Sequence, residues 1–120
     1  MGTPSRYRML VTDAKTRIRE ITPADALSAQ KHPGTLLIDV REAEDFKQAH
    51  APGARNLSRS IIETEIEEAA PDLNTPILCY CGGGGRSALV AESLQKMGYT
   101  NVHSIAGGFR AWKAAGLPTE

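Results

Sequence analysis

Four consecutive glycines, Gly82 to Gly85, stand between a short apolar run and an amphipathic one, with Cys81 on one side and Arg86-Ser87 on the other. Each glycine loses more backbone freedom on folding than any other residue, so such a run inside a compact domain has to be a tight connection held by its surroundings. The run before it, Pro76-Ile77-Leu78-Cys79-Tyr80, is fenced by Asn74, Thr75 and Pro76 and reads as a short buried strand. The run after it sets Ala88, Leu89, Ala91, Leu94 and Met97 at roughly helical spacing and stops at Gly98. The glycines therefore bridge a strand and a helix, and a thiol sits at the turn.

Glycine backbone can curl with its N–H groups turned inward, which makes a concave nest for an anion. The first turn of the following helix adds unpaired N–H groups and the positive end of its dipole. Cys81 can supply the negative charge. An ordinary cysteine has a pKa of about 8.5, and a helix N-terminus or nearby cations bring that down to roughly 3.5 to 7.5. The segment thus reads as a nucleophilic thiol in an anion cradle, against the plainer reading of a flexible surface turn that begins with cysteine.

The rest of the chain alternates strand and helix signals. Tyr7, Leu10, Val11, Ala14 and Ile18 suggest an N-terminal amphipathic helix running into a short strand near Ile18 to Ile21. Thr22 is an N-cap candidate with Pro23 at the first helical position and Asp25 three residues on, which predicts a helix over Pro23 to Gln30, broken by Pro33-Gly34. Thr35 to Val40 is a continuous apolar run of the kind buried on both faces of a parallel sheet. Ala43 to Ala49 reads as helix, Arg55 to Leu57 as strand, Ile61 to Ala70 as a Glu-rich helix, Asn101 to Ile105 as the last strand, Gly107-Gly108 as a turn and Phe109 to Ala115 as the closing helix. This pattern predicts an α/β domain with a mostly parallel sheet, its ligand crevice at the carboxyl ends of the strands, where Cys81 falls.

At 120 residues with 14 basic and 14 acidic side chains, the chain suits one neutral domain and shows no basic run of the kind that marks a nucleic-acid or anionic-membrane partner. No segment is apolar enough to span a bilayer, and the opening Met-Gly-Thr-Pro-Ser-Arg lacks a secretory core and the myristoylation pattern, so a cytoplasmic location is expected. The two cysteines, one residue apart, cannot staple a secreted fold, and too few thiols and clustered histidines accompany them to hold a structural metal.

From about Ile21 to Pro118 the chain resembles a single-domain rhodanese, a sulfurtransferase. The resemblance lies in Leu37-Ile38-Asp39-Val40-Arg41 with Glu44 and Phe46, in His50-Ala51-Pro52-Gly53-Ala54 with Asn56, in Cys81 to Ser87, and in Ile105-Ala106-Gly107-Gly108-Phe109-Arg110-Ala111-Trp112. It implies a rhodanese-like domain over residues 21–118, with a central five-stranded sheet flanked by helices on both faces and a helical extension over residues 1–20. It also implies that Cys81 attacks the outer sulfur of thiosulfate or a persulfide. An enzyme persulfide then passes the sulfur to a thiol, cyanide or a protein acceptor, without a cofactor. Gly82, Gly83, Gly84, Gly85, Arg86 and Ser87 would bind the substrate, with Arg86 orienting an anionic donor or holding the loop and Ser87 capping it. Asp39 and Arg41 would support the site. Many relatives place side chains where this chain has glycines, so weak discrimination among small donors, or delivery by a protein donor, is expected. The oligomeric state is left open, as is the role of the N-terminal helix, which could pack on the sheet or mediate self-association.

Three rival functions are weighed on the same residues. Cysteine phosphatases place five residues between cysteine and arginine, whereas four separate Cys81 from Arg86, a cradle better sized for one sulfur atom, which disfavours phosphatase or arsenate reductase activity. The Gly83 to Ala88 segment formally fits a dinucleotide pattern, but no acidic residue follows in Asn101 to Ile105. A non-catalytic carrier or binding module is disfavoured by the presence of Cys81. Cys79 could resolve a persulfide, although two residues apart in one strand is poor disulfide geometry and core packing explains it more simply. His50 reads as an anchor for the Pro52-Gly53 turn, Phe109 and Trp112 as core, and Glu63 to Glu68 as a solvated helix face.

Overall fold

A computed structural model describes residues 5–120. The expectations about a leader or lipid signal rest in part on residues 1–4, which lie outside the described residues. The elements run α1 (Arg6–Lys15), β1 (Arg19–Ile21), α2 (Pro23–Gln30), β2 (Leu36–Asp39), α3 (Ala43–Gln48), β3 (Arg55–Asn56), α4 (Ile62–Ala69), β4 (Ile77–Tyr80), α5 (Gly85–Lys96), β5 (Val102–Ile105) and α6 (Gly108–Ala114). All strand pairings are parallel, in the order β1-β5-β4-β2-β3, so the sheet is five-stranded with β4 at its centre. Chain order reverses between β2, which leads outward to β3, and β4, which leads to β5 on the other side. Ligand crevices form at such a switch point.

Side-chain alternation along the central strands divides the core between two faces. Ile38, Val40, Ile77, Cys79 and Cys81 point to one face, where Ile62 and Ile66 of α4 and Val90, Ala91 and Leu94 of α5 cover them. Leu37, Leu78, Tyr80 and Ile105 point to the other, under Ala26 of α2 and Phe109 and Trp112 of α6. Burial on both faces is why β2 and β4 read as unbroken apolar runs. Between Ile62 and Ile66 the glutamates of α4 are exposed, as their spacing required.

Local signals held where the chemistry is local. Thr22 Oγ1 accepts the Asp25 N–H at 3.2 Å, and α2 covers Pro23 to Gln30 as expected. The N-terminal helix, whose role the sequence leaves open, packs on α5 through Val11 and Ala14 against Ala88 and Leu89. Its expected apolar stripe needs correction. Tyr7 and Leu10, counted with the apolar stripe, remain 47% and 54% exposed. His50 also does different work: its Nδ1 meets the Phe46 carbonyl at 2.7 Å and its ring stacks on Phe46, which fastens the end of α3. The Pro52-Gly53 turn is held instead by Gln30, whose Nε2 donates to the Pro52 carbonyl at 2.7 Å.

Candidate active site

Cys81 follows β4 directly at the carboxyl edge of the sheet and is only 2% exposed. Its Sγ accepts the Gly84 N–H at 3.1 Å and the Ser87 N–H at 3.4 Å, and the Ser87 hydroxyl lies 3.6 Å away. Burial alone would raise the thiol's pKa. The Ser87 N–H and hydroxyl, then the Gly84 and Gly83 N–H groups, more than offset it and leave the pKa below the ordinary thiol value. Ser87 Oγ is in turn 2.8 Å from Ser104 Oγ on β5, and both serines are fully buried. With a thiolate as final acceptor, Ser104 donates to Ser87 and Ser87 donates to sulfur.

The loop faces its amides inward because another helix takes its carbonyls. The N–H groups of Phe109 and Arg110, in the first turn of α6, donate to the carbonyls of Cys81 and Gly82 at 2.7 and 3.0 Å. That approach needs Gly108, where a Cβ would collide with the Cys81 carbonyl. Gly84 has φ +94°, the left-handed region that favours glycine, and a Cβ there would lie 3.0 Å from the Gly107 nitrogen. The remaining glycines have different reasons. Gly85 is the first residue of α5 rather than part of the loop, and a Cβ there would press on the Tyr7 hydroxyl. Gly82 has open space around it, and Gly83 has only the Arg110 guanidinium near, so a side chain fits at either.

Arg86 sits in the first turn of α5 and lines a cleft of about 700 Å³ over the thiol. No hydrogen bond or ion pair ties its guanidinium to the loop among the described residues, so of its two expected roles only that of facing a donor has a geometric basis. Asp39 and Arg41 form a closed pair at the end of β2. Asp39 is fully buried and accepts from Arg41 Nη2 at 2.8 Å, from its Nε and from its backbone N–H. Arg41 also donates to the Ala49 carbonyl, and its guanidinium lies 4.5 Å from the Phe109 ring centroid. The pair therefore braces α6, which holds the Cys81 loop. Asn56 joins this brace by donating to the Asp39 and Arg41 carbonyls at 3.0 and 2.9 Å.

Cys79 is wholly buried on the same face as Cys81, and burial first, then the Cys81 charge, pushes its pKa up to about 12. Its Sγ lies 3.6 Å from the Ser87 and His103 carbonyls, in keeping with core packing. Residue patterns gave no sign of Ser104, of the α6 amides, of Asn56 as a clamp, or of α1 reaching the cleft. These are tertiary contacts, and only the resemblance draws Asn56 to notice.

The arrangement is a thiol at the end of a central parallel strand, cradled by helix-start amides at a topological switch point. The chain belongs to the rhodanese-like domain family, whose model matches residues 22–115. It is 34% identical over 99 residues to thiosulfate sulfurtransferase GlpE of Pseudomonas putida, covering 82% of this chain and 88% of that one. Two solved structures superpose over nearly the whole chain. A Rhodopseudomonas palustris protein of unknown function, described as a possible tyrosine phosphatase, has a TM-score of 0.84 and 30% identity, with 99% of this chain and 100% of that one covered. The polysulfide-sulfur transferase homodimer of Wolinella succinogenes has a TM-score of 0.82 and 26% identity, covering 95% and 86%. The expected sulfurtransferase class and rhodanese-like fold are met, and the sheet is wholly parallel rather than mostly so.

Proposed function

We propose that the protein moves a sulfane sulfur through a persulfide on Cys81, with thiosulfate or a persulfide as donor and a thiol, cyanide or a protein thiol as acceptor. The observation that carries this reading is the buried Sγ accepting N–H groups from Gly84 and Ser87. With thiosulfate, the Cys81 thiolate attacks the outer sulfur, the S–S bond of the donor breaks, and sulfite leaves with the electron pair. The thiolate and the thiosulfate dianion become an enzyme persulfide anion and a sulfite dianion, so charge and atoms balance without a redox cofactor. Inward N–H groups stabilise charge on sulfur in both halves of the cycle. Arg86 faces the cleft and draws the anionic donor, while Asp39 and Arg41 keep α6 and the loop in place. The free thiols Cys79 and Cys81 suit a reducing compartment such as the cytoplasm.

The phosphatase reading attached to the Rhodopseudomonas protein meets the four-residue spacing from Cys81 to Arg86, one short of the phosphatase cradle. Aryl phosphate is therefore expected to be stable to this protein. Assay of thiocyanate formed from thiosulfate and cyanide tests the main reading. The wild type is expected to turn over and Cys81→Ser to be inactive, and equal rates for both would refute it.

A further inference from the structure

The glycines leave the loop without side chains to select a donor, yet the cleft above it is large. Its volume of about 700 Å³ lies in the range of sites that enclose drug-sized molecules, far beyond the needs of a five-atom thiosulfate ion. Helix α1 forms one wall, and it precedes the residues matched by the family model. Arg8, Val11, Thr12 and Lys15 line the cleft from that helix. Their spacing of three, four and seven residues from Arg8 places them on one stripe, with the two cations roughly 10 Å apart along the axis. Arg86 adds a third cation from the first turn of α5, and no carboxylate lines the cleft among the described residues. The nearest counter-charge to Lys15 is Glu20, 3.5 Å away, while Arg8 and Arg86 have no ion pair among the described residues. Tyr7, which adjoins Arg8 and is 47% exposed, offers the face of its ring to the same cleft.

We propose that α1 is a recognition wall for an anionic low-molecular-weight organic persulfide, one whose carboxylates lie several atoms from the sulfane sulfur. The inference rests on Cys81 being the sulfur carrier. The carboxylates meet Arg8 and Lys15, the carbon skeleton lies against the Tyr7 ring, and the outer sulfur reaches Cys81. The thiolate attacks that sulfur, the donor's S–S bond breaks, and the departing thiolate takes a proton from water to leave as a thiol. A bare inorganic polysulfide carries charge without a carbon skeleton and makes less use of this wall.

The test compares kcat/KM for glutathione persulfide, its diethyl ester, inorganic polysulfide and thiosulfate in the wild type, in Arg8→Ala/Lys15→Ala and in Arg8→Glu. Two solvent-facing ion pairs together amount to about tenfold. The ratio of kcat/KM for glutathione persulfide to that for thiosulfate is therefore expected to fall about tenfold in the double variant. It should fall further in Arg8→Glu, which breaks no ion pair among the described residues, while the ratio for the ester stays constant. An unchanged ratio, an equal fall for the ester, or a fall confined to polysulfide overturns the proposal while leaving Cys81 chemistry standing. If the wild type takes sulfur from none of the donors, the sulfurtransferase reading falls, and this inference with it.

Discussion

Replacing Ser87 by alanine removes the one hydroxyl among the described residues that reaches the Cys81 sulfur, at 3.6 Å, and leaves the backbone donors Gly84 and Ser87 in place. A hydrogen bond to a charged group contributes about 1.5 to 3 kcal/mol, and a long contact to sulfur belongs at the lower end. About 1.4 kcal/mol is a factor of ten in the thiol–thiolate equilibrium. The fold lowers the thiol's pKa, so reactivity rises with pH to a plateau once the thiolate is formed. Losing the hydroxyl moves that rise to higher pH. At any pH on the acid limb, alkylation of Cys81 by iodoacetamide is expected to slow about tenfold in Ser87→Ala, with little change on the alkaline plateau. The same substitution strands the buried Ser104 hydroxyl, whose partner is Ser87 at 2.8 Å, at a cost of about 1 to 3 kcal/mol. Ser87→Ala/Ser104→Ala should recover part of that loss in urea denaturation. An acid limb that stays where it was, measured on protein shown to be folded, refutes the claim that the hydroxyl pair stabilises the thiolate.

A charge placed at the loop's mouth should act in the same direction. Gly83→Asp fits sterically, but the Arg110 guanidinium lies 3.7 Å from where its side chain would begin and screens it. The acid limb of the alkylation profile is therefore expected at higher pH in Gly83→Asp, and higher still in Gly83→Asp/Arg110→Ala; unmoved profiles in both would show that charge at this position does not reach the thiol. Arg41→Ala leaves the fully buried Asp39 carboxylate without its guanidinium partner, which predicts a loss of about 3 to 5 kcal/mol. Urea denaturation measures it, and a loss below about 1 kcal/mol would show that the pair does not brace the fold.

Elements whose cause lies within a few residues were legible from the chain itself. Thr22-Pro23 with Asp25 set the start of α2, and the unbroken apolar runs of β2 and β4 marked strands buried on both faces. Cys81 was legible for the same reason, because strand, glycines and helix adjoin in sequence. What depends on approach between distant segments was not. Nothing in Val102-His103-Ser104-Ile105 distinguishes Ser104 until β5 is laid beside β4 and its hydroxyl meets Ser87. Gly85 read as loop but starts α5, since its missing side chain serves packing under Tyr7 rather than a turn. Gly107-Gly108 read as a turn, while its consequence is the close approach of α6 to the Cys81 and Gly82 carbonyls. Helical spacing likewise counted Tyr7 and Leu10 with the apolar stripe of α1 although they stay exposed, because periodicity cannot tell a face covered by protein from one facing a cleft or solvent.

The persulfide itself is the most direct object to measure. Incubation with thiosulfate followed by intact mass determination should show wild-type protein gaining one sulfur atom, released again by cyanide, and Cys81→Ser gaining none. Absence of the added sulfur on wild-type protein with thiosulfate and with a low-molecular-weight persulfide, or an equal gain in Cys81→Ser, would contradict the assignment of Cys81 as the sulfur carrier.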